Sequence, residues 1–311
     1  MTGFILAAGF GTRLRPISEH IPKALVPVGG TPALGRHVQN FNKAGISRLC
    51  ANTHYLSDSV ESFRDAFAAS LRLFHETEAI RGTGGALDGA RAFLAQDDAF
   101  CVCNVDIIST IDIAHAIGRF LEGGADCSLI AAPTQGRGTI LFDSLNGRYA
   151  GTPHECAAGG ELTGADYIGM ALYRRRFLDV VRDDDFSILP VWRRALEKGL
   201  EVTVMVVPDL YWYDIGTPRS LAQIHFDILS GRFSLPIPAH MVVDTERRCG
   251  RPASLSPEIT ARLGKDVWTE STRIDPRAYL ERVVVFADTP VERGRVTDAV
   301  VTKWGIVPIA D

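Results

Sequence analysis

The sequence predicts an α/β protein in which a mostly parallel sheet carries helices on both faces and is followed by a short C-terminal β-helix-like extension. Short apolar runs alternate with helical stretches through the first two thirds of the chain, which is the pattern of successive βα units. After residue 235 this alternation stops and a different apolar period begins. Because 311 residues can bury a large core, we expect one large domain with an appendage, at 1–232 and 236–311.

The α/β domain is predicted to begin with a short buried strand from Phe4 to Ala8, followed by a helix over 31–45 with Pro32 in its first turn. Strands and helices then alternate, in the order strand 48–52, helix 57–70, strand 71–75, helix 83–95, strand 99–105, helix 112–124 and strand 127–133. From residue 134, short segments rich in glycine and turn residues predict an inserted antiparallel region. The core resumes with a strand at 201–207, a segment at 211–218 and a closing helix at 218–231.

The extension differs in composition from the domain before it. Prolines at 236, 238 and 252 mark a linker, and no amphipathic helix is predicted beyond them. Aliphatic or aromatic residues recur at intervals of five or six: Ile274, Leu280, Phe286, Val291 and Val296. This imperfect hexapeptide period favours a short left-handed β-helix, with a loose three- or four-stranded extension as the alternative.

Composition excludes several classes of protein. The net charge of −4 lacks the basic excess of a nucleic-acid binder, and no apolar run reaches the length of a membrane span. The first strand leaves no room for a signal peptide, and the six cysteines are scattered, so we expect a reduced, cytoplasmic protein. The spacing of Cys101 and Cys103 could suit a metal, but within a strand-like run it favours core positions.

A glycine-rich turn follows the first strand directly, in the sequence GFILAAGFGTRLRP at 3–16. Gly9 and Gly11 would let backbone N–H groups approach a ligand, and phosphate is the usual ligand of such a loop. Leu14 stands where a dinucleotide fingerprint needs its third glycine, and the Gly-Lys-Ser/Thr ending of a P-loop is absent. Arg13, Arg15 and Lys23 suit a pyrophosphate instead; the alternative is a tight turn with solvated arginines.

Two further features lie where the ligands of parallel sheets gather, at the ends of strands. Asp106 and Asp214 could together ligate Mg²⁺ above a nucleotide, although aspartate is also common at strand ends and helix N-termini. The segment GTGGAL at 82–87 follows Glu78 and would permit close approach of a base or ribose. In isolation, a helix start capped by Thr83 explains that segment better.

Together these motifs resemble the sugar-1-phosphate nucleotidyltransferases. The signature Leu-Ala-Ala-Gly-x-Gly-Thr-Arg-Leu-x-Pro stands at 6–16, and Pro-Lys-Ala-Leu at 22–25. The glycine cluster, Asn104-x-Asp106 and Trp212-x-Asp214-x-Gly-Thr-Pro follow in the family's order. The resemblance covers about residues 1–232 and implies a Rossmann-like nucleotidyltransferase fold. The tail resembles that of GDP-mannose pyrophosphorylases, while 136–143 resembles the N-acetylmuramate-1-phosphate uridylyltransferase and heptose-1-phosphate guanylyltransferase branch.

The resemblance implies a reaction between an NTP and a sugar 1-phosphate that gives an NDP-sugar and pyrophosphate, with Mg²⁺ as cofactor and GTP or UTP as donor. Catalytic roles fall to Arg13 on the leaving pyrophosphate, Lys23 on the α-phosphate, and Asp106 and Asp214 on Mg²⁺. The implied nucleotide-binding residues are Leu6, Ala8, Gly9, Gly11, Thr12, Arg13, Glu78, Gly82, Thr83, Gly84 and Asn104. Gly169 and Asp214 are implied for the sugar. We also expect a cytoplasmic homodimer with a role in cell-envelope polysaccharide synthesis.

The chain departs from the family's pattern at two places. Val105 replaces the glycine of Asn-Gly-Asp, and the Glu-Lys-Pro lysine that binds the sugar phosphate is missing, since residues 143–166 contain no lysine. The identity of the sugar therefore cannot be carried over. A catalytically silent NDP-sugar-binding homologue is an alternative, and a dinucleotide dehydrogenase is disfavoured by Leu14. We expect the tail to pack on the catalytic domain and to form a dimer contact outside the active site.

Overall fold

The computed structural model describes residues 1–156 and 162–309. Their strands are β1 (Thr2–Leu6), β2 (Pro27–Val28), β3 (Thr31–Pro32), β4 (Arg48–Thr53), β5 (Arg72–His75), β6 (Ala99–Asn104), β7 (Ile107–Ser109), β8 (Cys127–Pro133), β9 (Ile140–Asp143), β10 (Tyr149–Gly151), β11 (Leu162–Arg174), β12 (Val202–Val206), β13 (Trp212–Asp214), β14 (Met241–Asp244), β15 (Cys249–Pro252), β16 (Val267–Thr269), β17 (Ala278–Val285), β18 (Gly294–Thr302) and β19 (Gly305–Pro308).

The α-helices of these residues are α1 (Ala33–Lys43), α2 (Ser57–Phe67), α3 (Gly82–Gly89), α4 (Arg91–Leu94), α5 (Ile113–Glu122), α6 (Ile188–Glu197), α7 (Pro218–Leu229) and α8 (Pro257–Ala261). Short 3-10 helices cover Thr12–Leu14, Ile17–Glu19, Lys23–Leu25 and Arg175–Val180. None of the helices described in the structure is long and apolar enough to cross a membrane.

The chain folds as two compact units, neither of which is continuous in sequence. The first comprises Met1–Gly9 and His37–Trp212, and the second comprises Phe10–Arg36 and Tyr213–Asp311. This division differs from the domain boundary predicted between 232 and 236, because the loop after β1 and the closing helix α7 group with the C-terminal residues. The predicted division into catalytic and C-terminal domains stays a prediction.

A nine-stranded mixed sheet forms the centre of the first unit. Seven strands run in the order β10-β9-β11-β6-β1-β4-β5, and β8 pairs with both β11 and β12. The pairs β1–β4, β1–β6, β4–β5 and β8–β12 are parallel, as the βα alternation predicts. Strand β11 runs antiparallel to its neighbours, and its register shifts at Gly169, whose φ of +76° suits a bulge. The α/β class with a mostly parallel sheet is therefore confirmed, together with an antiparallel region after residue 134.

Aromatic side chains fill much of the core of the first unit. Phe100 stacks on Tyr173 at 5.1 Å between ring centroids, and Trp192 Nε1 donates to the Tyr173 hydroxyl at 3.2 Å. Cys101 and Cys103 are fully buried free thiols within β6, the core positions predicted for them. Burial raises the pKa of Cys101 to about 12, which makes it unreactive near neutral pH.

Several local predictions are wrong. Pro32 lies in β3, one residue before α1 begins. The single helix predicted over 83–95 is two helices, and it starts at Gly82 with Arg81 in the cap position, so Thr83 is not the N-cap. Helix α6 was not anticipated; it begins after Ser187, whose side chain accepts from the Leu189 N–H. The short helix α8 lies in the tail, where none was expected.

The second unit is built around α7 and a series of parallel strands. Thr217 and Ser220 cap α7 reciprocally, with Pro218 in its first turn. Strands β15, β16, β17 and β18 pair in parallel in that order, and the register Val267↔Val283↔Ala299 repeats every 16 residues. Isolated parallel bridges join Leu263 to Leu280 and Ile274 to Val291, residues that face a common core. We name residues 249–302 the C-terminal coil; that it is a left-handed β-helix stays a prediction.

Helix α7 packs on β16, β17 and β18 of the C-terminal coil. Trp268 is fully buried in this packing, and its ring lies 5.3 Å from the ring of His225 on α7. Gly250 makes room for it, because a Cβ there would overlap the indole. Helix α7 and the coil therefore share one core within the second unit.

Candidate active site

The glycine-rich turn after β1 contains a left-handed residue that a side chain would strain. Gly11 has a φ of +63°, and its carbonyl accepts from the Leu14 N–H at 2.8 Å and from Ser18 Oγ at 2.7 Å. A Cβ on Gly11 would lie 3.2 Å from Ser18 Cβ and 3.3 Å from Lys23 Cβ. The turn therefore folds back on Pro-Lys-Ala-Leu, and Gly11 is required for the close approach of Lys23.

Within the second unit, two cations of the signature converge on one carboxylate. Arg13 Nη2 lies 2.8 Å from Asp214 Oδ2, and Lys23 Nζ lies 3.8 Å from Asp214 Oδ1. Burial raises the pKa of Asp214, but the hydrogen bond from Arg13 and the charges of Lys23 and Arg13 outweigh it, so that this pKa is lowered. The ionised cluster carries a net charge of about +1. The Arg13 side chain is 62% exposed, which leaves guanidinium surface open to an anionic ligand.

Gly216 allows this cluster to form, a role that sequence reasoning missed. Its N–H donates to Asp214 Oδ1 at 2.7 Å. A Cβ on Gly216 would lie 2.6 Å from Asp214 Oδ1, 2.8 Å from Arg13 Nη2 and 3.0 Å from Lys23 Nζ. The available signal was the Gly-Thr-Pro that follows Asp214, which belongs to the family motif but gives no sign of the close contacts at Gly216.

In the first unit, the end of β1 is held by a buried polar network. The Ala7 N–H donates to Asn52 Oδ1 at 2.7 Å, and Asn52 Nδ2 donates to Glu76 Oε1 at 2.7 Å. The other oxygen of Glu76 accepts the Arg81 N–H at 2.7 Å, one residue before α3. Asn52 and Glu76 are buried, so losing either partner would leave unsatisfied polar groups at a cost of about 1–3 kcal/mol each. This network fixes the start of the β1 loop relative to the start of α3.

The sequence predicts a role for Glu78, but the carboxylate in this network belongs to Glu76. Glu78 is exposed on the loop between β5 and α3, whereas Glu76, two residues earlier, is buried. Neither Asn52 nor Glu76 was predicted; the only available signal was their place at or just beyond the ends of two predicted strands. Nucleotide contact by Glu78 stays a prediction.

The glycines that open α3 pack closely against protein backbone. The Gly84 N–H donates to the Phe186 carbonyl at 3.0 Å, and Gly82, at a φ of +65°, lies against the same carbonyl. A Cβ on Gly84 would lie 2.9 Å from Asp185 Cβ. Arg194 donates to both oxygens of the Asp185 carboxylate, at 2.7 Å from Nη2 and 2.8 Å from Nη1, and these bonds hold Asp185 against the glycines. Internal packing therefore explains these glycines, and nucleotide contacts by Gly82, Thr83 and Gly84 stay predictions.

The end of β6 brings together three of the predicted site residues. Leu6 accepts the Val105 N–H at 3.1 Å, and a Cβ on Gly169 would lie 2.7 Å from Asn104 Nδ2. Gly169, at its positive φ, thus leaves the space that the Asn104 amide occupies. His37 Nε2 donates to the Val105 carbonyl at 3.1 Å, so both backbone groups of the residue before Asp106 are fixed.

The predicted site residues therefore form local groups in both units. In the first unit, buried polar bonds and close packing hold the ends of β1 and β6 and the start of α3. In the second unit, the cluster joins Arg13, Lys23 and Asp214, with Gly11 and Thr12 in the same turn. Among the described residues no group of three or more His, Cys, Asp or Glu side chains could hold a metal ion.

Comparison with known proteins identifies the family. A nucleotidyl transferase family model matches residues 2–138. The N-acetylmuramate alpha-1-phosphate uridylyltransferase of Caulobacter vibrioides is 29% identical over 231 residues, which is 70% of this chain and 92% of that protein. These matches support the sugar-1-phosphate nucleotidyltransferase family for this chain.

Two further comparisons bear on the length and fold of this chain. The mannose-1-phosphate guanylyltransferase of Mycobacterium tuberculosis is 27% identical over 303 residues, covering 94% of this chain and 82% of that protein. The crystal structure of HddC from Yersinia pseudotuberculosis complexed with GMP-PN has a TM-score of 0.58 at 24% identity, over 72% of this chain and 97% of that chain. The second comparison shows similarity of fold alone.

We expect Gly216→Ala to lower the turnover of this nucleotidyltransferase by about 10- to 100-fold, because the added methyl must displace Asp214, Arg13 or Lys23. Turnover and melting temperature should be measured together. Gly118→Ala is the matched control, since a Cβ there meets nothing within 4 Å. Wild-type turnover in Gly216→Ala would show that the cluster tolerates displacement.

Proposed function

We propose that the chain transfers a nucleotidyl group from GTP or UTP to a sugar 1-phosphate, with Mg²⁺, and releases an NDP-sugar and pyrophosphate. The observation that carries this proposal is the convergence of Arg13 and Lys23 on Asp214. Two cations beside a backbone turn suit the binding of a triphosphate and the stabilisation of its charge while pyrophosphate leaves the α-phosphate. The choice of GTP or UTP rests on the names of the relatives, a guanylyltransferase and a uridylyltransferase.

The chemistry needs little from the protein beyond alignment and charge. The phosphate of the sugar is largely dianionic at neutral pH, with a second pKa of about 6, so its oxygen can attack without a general base. The new bond joins this oxygen to the α-phosphorus, and the bond from that phosphorus to the bridging oxygen breaks as pyrophosphate leaves. In this proposal Lys23 binds the α-phosphate, where charge builds up, and Arg13 binds the departing pyrophosphate through its exposed guanidinium.

The residues present fit an Mg²⁺ ion that is bound partly by substrate better than a metal ion whose ligands all come from the protein. Mg²⁺ commonly uses one or two carboxylates with substrate phosphates and water, and no larger donor group occurs among the described residues. We assign Asp106 and Asp214 as the two carboxylates. The ion would neutralise phosphate charge as the bond is exchanged. When the substrates bind, Asp214 would exchange Arg13 and Lys23 for a cation, and these two side chains would turn to phosphate.

The remaining assignments concern the nucleotide and the sugar. Gly9 is exposed and a Cβ there meets nothing within 4 Å, so a ligand could approach the chain at this residue. The network of Asn52 and Glu76 would hold this loop in place before the nucleotide arrives. We place Asn104 against the nucleotide and Gly169 near the sugar. The lysine missing from 143–166 leaves the sugar to be identified by experiment.

A matrix of substrates tests the function. Purified protein with Mg²⁺ is incubated with each of GTP, UTP, ATP and TTP, with and without mannose 1-phosphate, glucose 1-phosphate or N-acetylmuramate 1-phosphate. We expect pyrophosphate release only when both substrates are present, fastest with GTP or UTP, and a product of the mass of the NDP-sugar. No release with any pair would contradict the proposal and favour a silent homologue.

Removing either proposed metal ligand should abolish most of the Mg²⁺-dependent turnover. Asp106→Asn and Asp214→Asn each remove a charge that several kcal/mol of transition-state stabilisation depend on, so we expect a loss of at least about 100-fold. Asp65→Asn, at an exposed residue of α2, is the control. Activity as a function of Mg²⁺ concentration is the measurement, and unchanged curves in both site variants would exclude these ligands.

A further inference from the structure

The hairpin that follows Lys23 has a turn whose two central residues both adopt the left-handed conformation. Gly29 and Gly30 connect β2 to β3 with φ values of +56° and +78°, which fits a two-residue type I′ turn. The hairpin begins two residues after the 3-10 helix Lys23–Leu25, and the Val26 N–H donates to the Lys23 carbonyl at 3.3 Å. The position of the turn is therefore coupled to that of Lys23 through a few residues.

Side chains from elsewhere in the second unit form hydrogen bonds with the backbone N–H and carbonyl groups of this turn. The Gly29 N–H donates to His225 Nε2 at 3.0 Å, and the Gly30 N–H lies close enough to the Glu270 carboxylate to oppose the rise of its pKa. Arg36 donates to the carbonyls of Val28 at 2.6 Å and of Gly29 at 3.0 Å. Because buried backbone groups are costly when unpaired, these bonds fix the turn.

Glu270 connects the turn to the C-terminal coil. It directly follows β16, and its Oε1 accepts from Trp268 Nε1 at 3.1 Å. Burial raises the pKa of Glu270, and the hydrogen bonds from Trp268 and Gly30 and the charge of Arg36 offset this only in part. Burial also lowers the pKa of Arg36 to about 10, against the opposing effect of Glu270.

A second connection reaches the same turn through α7. His225 is fully buried, and burial lowers its pKa to about 4, so the ring is neutral. Its Nδ1 donates to the Leu221 carbonyl at 2.7 Å, which leaves Nε2 to accept from Gly29. The ring lies against Trp268, so both connections depend on one indole of the coil.

We propose that Glu270 is a positioning residue, which holds the Gly29–Gly30 turn so that Lys23 meets the α-phosphate. This inference rests on the proposed function. It extends the expectation that the tail serves assembly: no residue of the coil need touch substrate, yet Glu270 acts on the reaction through the hairpin. Lys23 contributes when charge builds up on phosphorus, so a misplaced lysine should affect kcat more than KM.

The test compares Glu270→Gln with Val283→Ala. Glutamine keeps the shape and one acceptor oxygen but loses the charge facing Arg36 and the ability to serve both donors equally. Val283 lies in the core of the coil, and its truncation weakens the coil without touching the turn. We expect kcat to fall about tenfold in Glu270→Gln with KM for the NTP nearly unchanged, whereas Val283→Ala keeps kcat although its melting temperature falls at least as far.

Amide hydrogen exchange without substrate supplies a readout independent of activity. The amides of Gly29 and Gly30 should exchange faster in Glu270→Gln and at the wild-type rate in Val283→Ala. Trp268→Phe, which keeps a ring but loses the indole N–H, should repeat the Glu270→Gln pattern and replaces it if that variant does not fold.

The two proposals fail in different ways. A wild-type protein that releases no pyrophosphate contradicts the proposed function, while the exchange rates still report on the turn. An active wild type with unchanged kcat in Glu270→Gln, or an equal loss of kcat in Val283→Ala, overturns the positioning role of Glu270.

Discussion

The carboxylate of Asp214 is the interaction on which the geometry of the signature loop depends. Arg13 and Lys23 carry like charges that would repel each other without an anion beside them. Asp214 receives both, and the Gly216 N–H fixes one of its oxygens. Asp214 lies four residues before the first residue of α7, so the capped start of that helix anchors it. The loop is thereby organised in the absence of ligand, and in the proposed reaction these contacts are exchanged for phosphate and Mg²⁺ when the substrates bind.

The first unit uses buried hydrogen bonds for the same purpose. Asn52 and Glu76 connect the end of β1 to the start of α3, and His37 fixes the carbonyl before Asp106. In each case a buried polar group has its partner in a different element, so displacing one segment leaves a donor or acceptor unpaired. The segments that carry the predicted ligand contacts are loops and strand ends, and these bonds give them a defined position.

Much of the fold could be predicted because the apolar periods are clear. Alternating βα segments predicted β1, β4, β5, β6 and β8 to within about two residues, whereas the short strands β2, β3 and β7 were not predicted. The residues Ile274, Leu280 and Val291 are core residues of the coil. The signature sequence likewise identified Arg13, Lys23 and Asp214, which the structure brings together.

What sequence could not supply is contact between distant segments. Nothing in the sequence shows that residues 185–186 pack against the glycines of α3, whose contact with a nucleotide stays a prediction. Glu76 and Glu78 differ in burial, although both follow the same strand, and an irregular loop has no period to distinguish them. Glu270 was overlooked because the tail was interpreted through its apolar spacing alone, whereas this residue acts through a backbone N–H some 240 positions earlier.

The titration of Asp214 tests the central claim most directly. Its pKa is lowered in the folded protein, so the stability it contributes is present above the pKa of the unfolded chain and is lost as pH falls through the folded value. Carboxyl ¹³C NMR of protein labelled at aspartate, assigned with Asp214→Asn, would follow this group alone. We predict a wild-type pKa below the ordinary value of about 3.9 and a clear rise in Arg13→Ala, where the hydrogen bond and charge of Arg13 no longer oppose burial. A pKa at or above the ordinary value, unchanged in Arg13→Ala, would contradict the account.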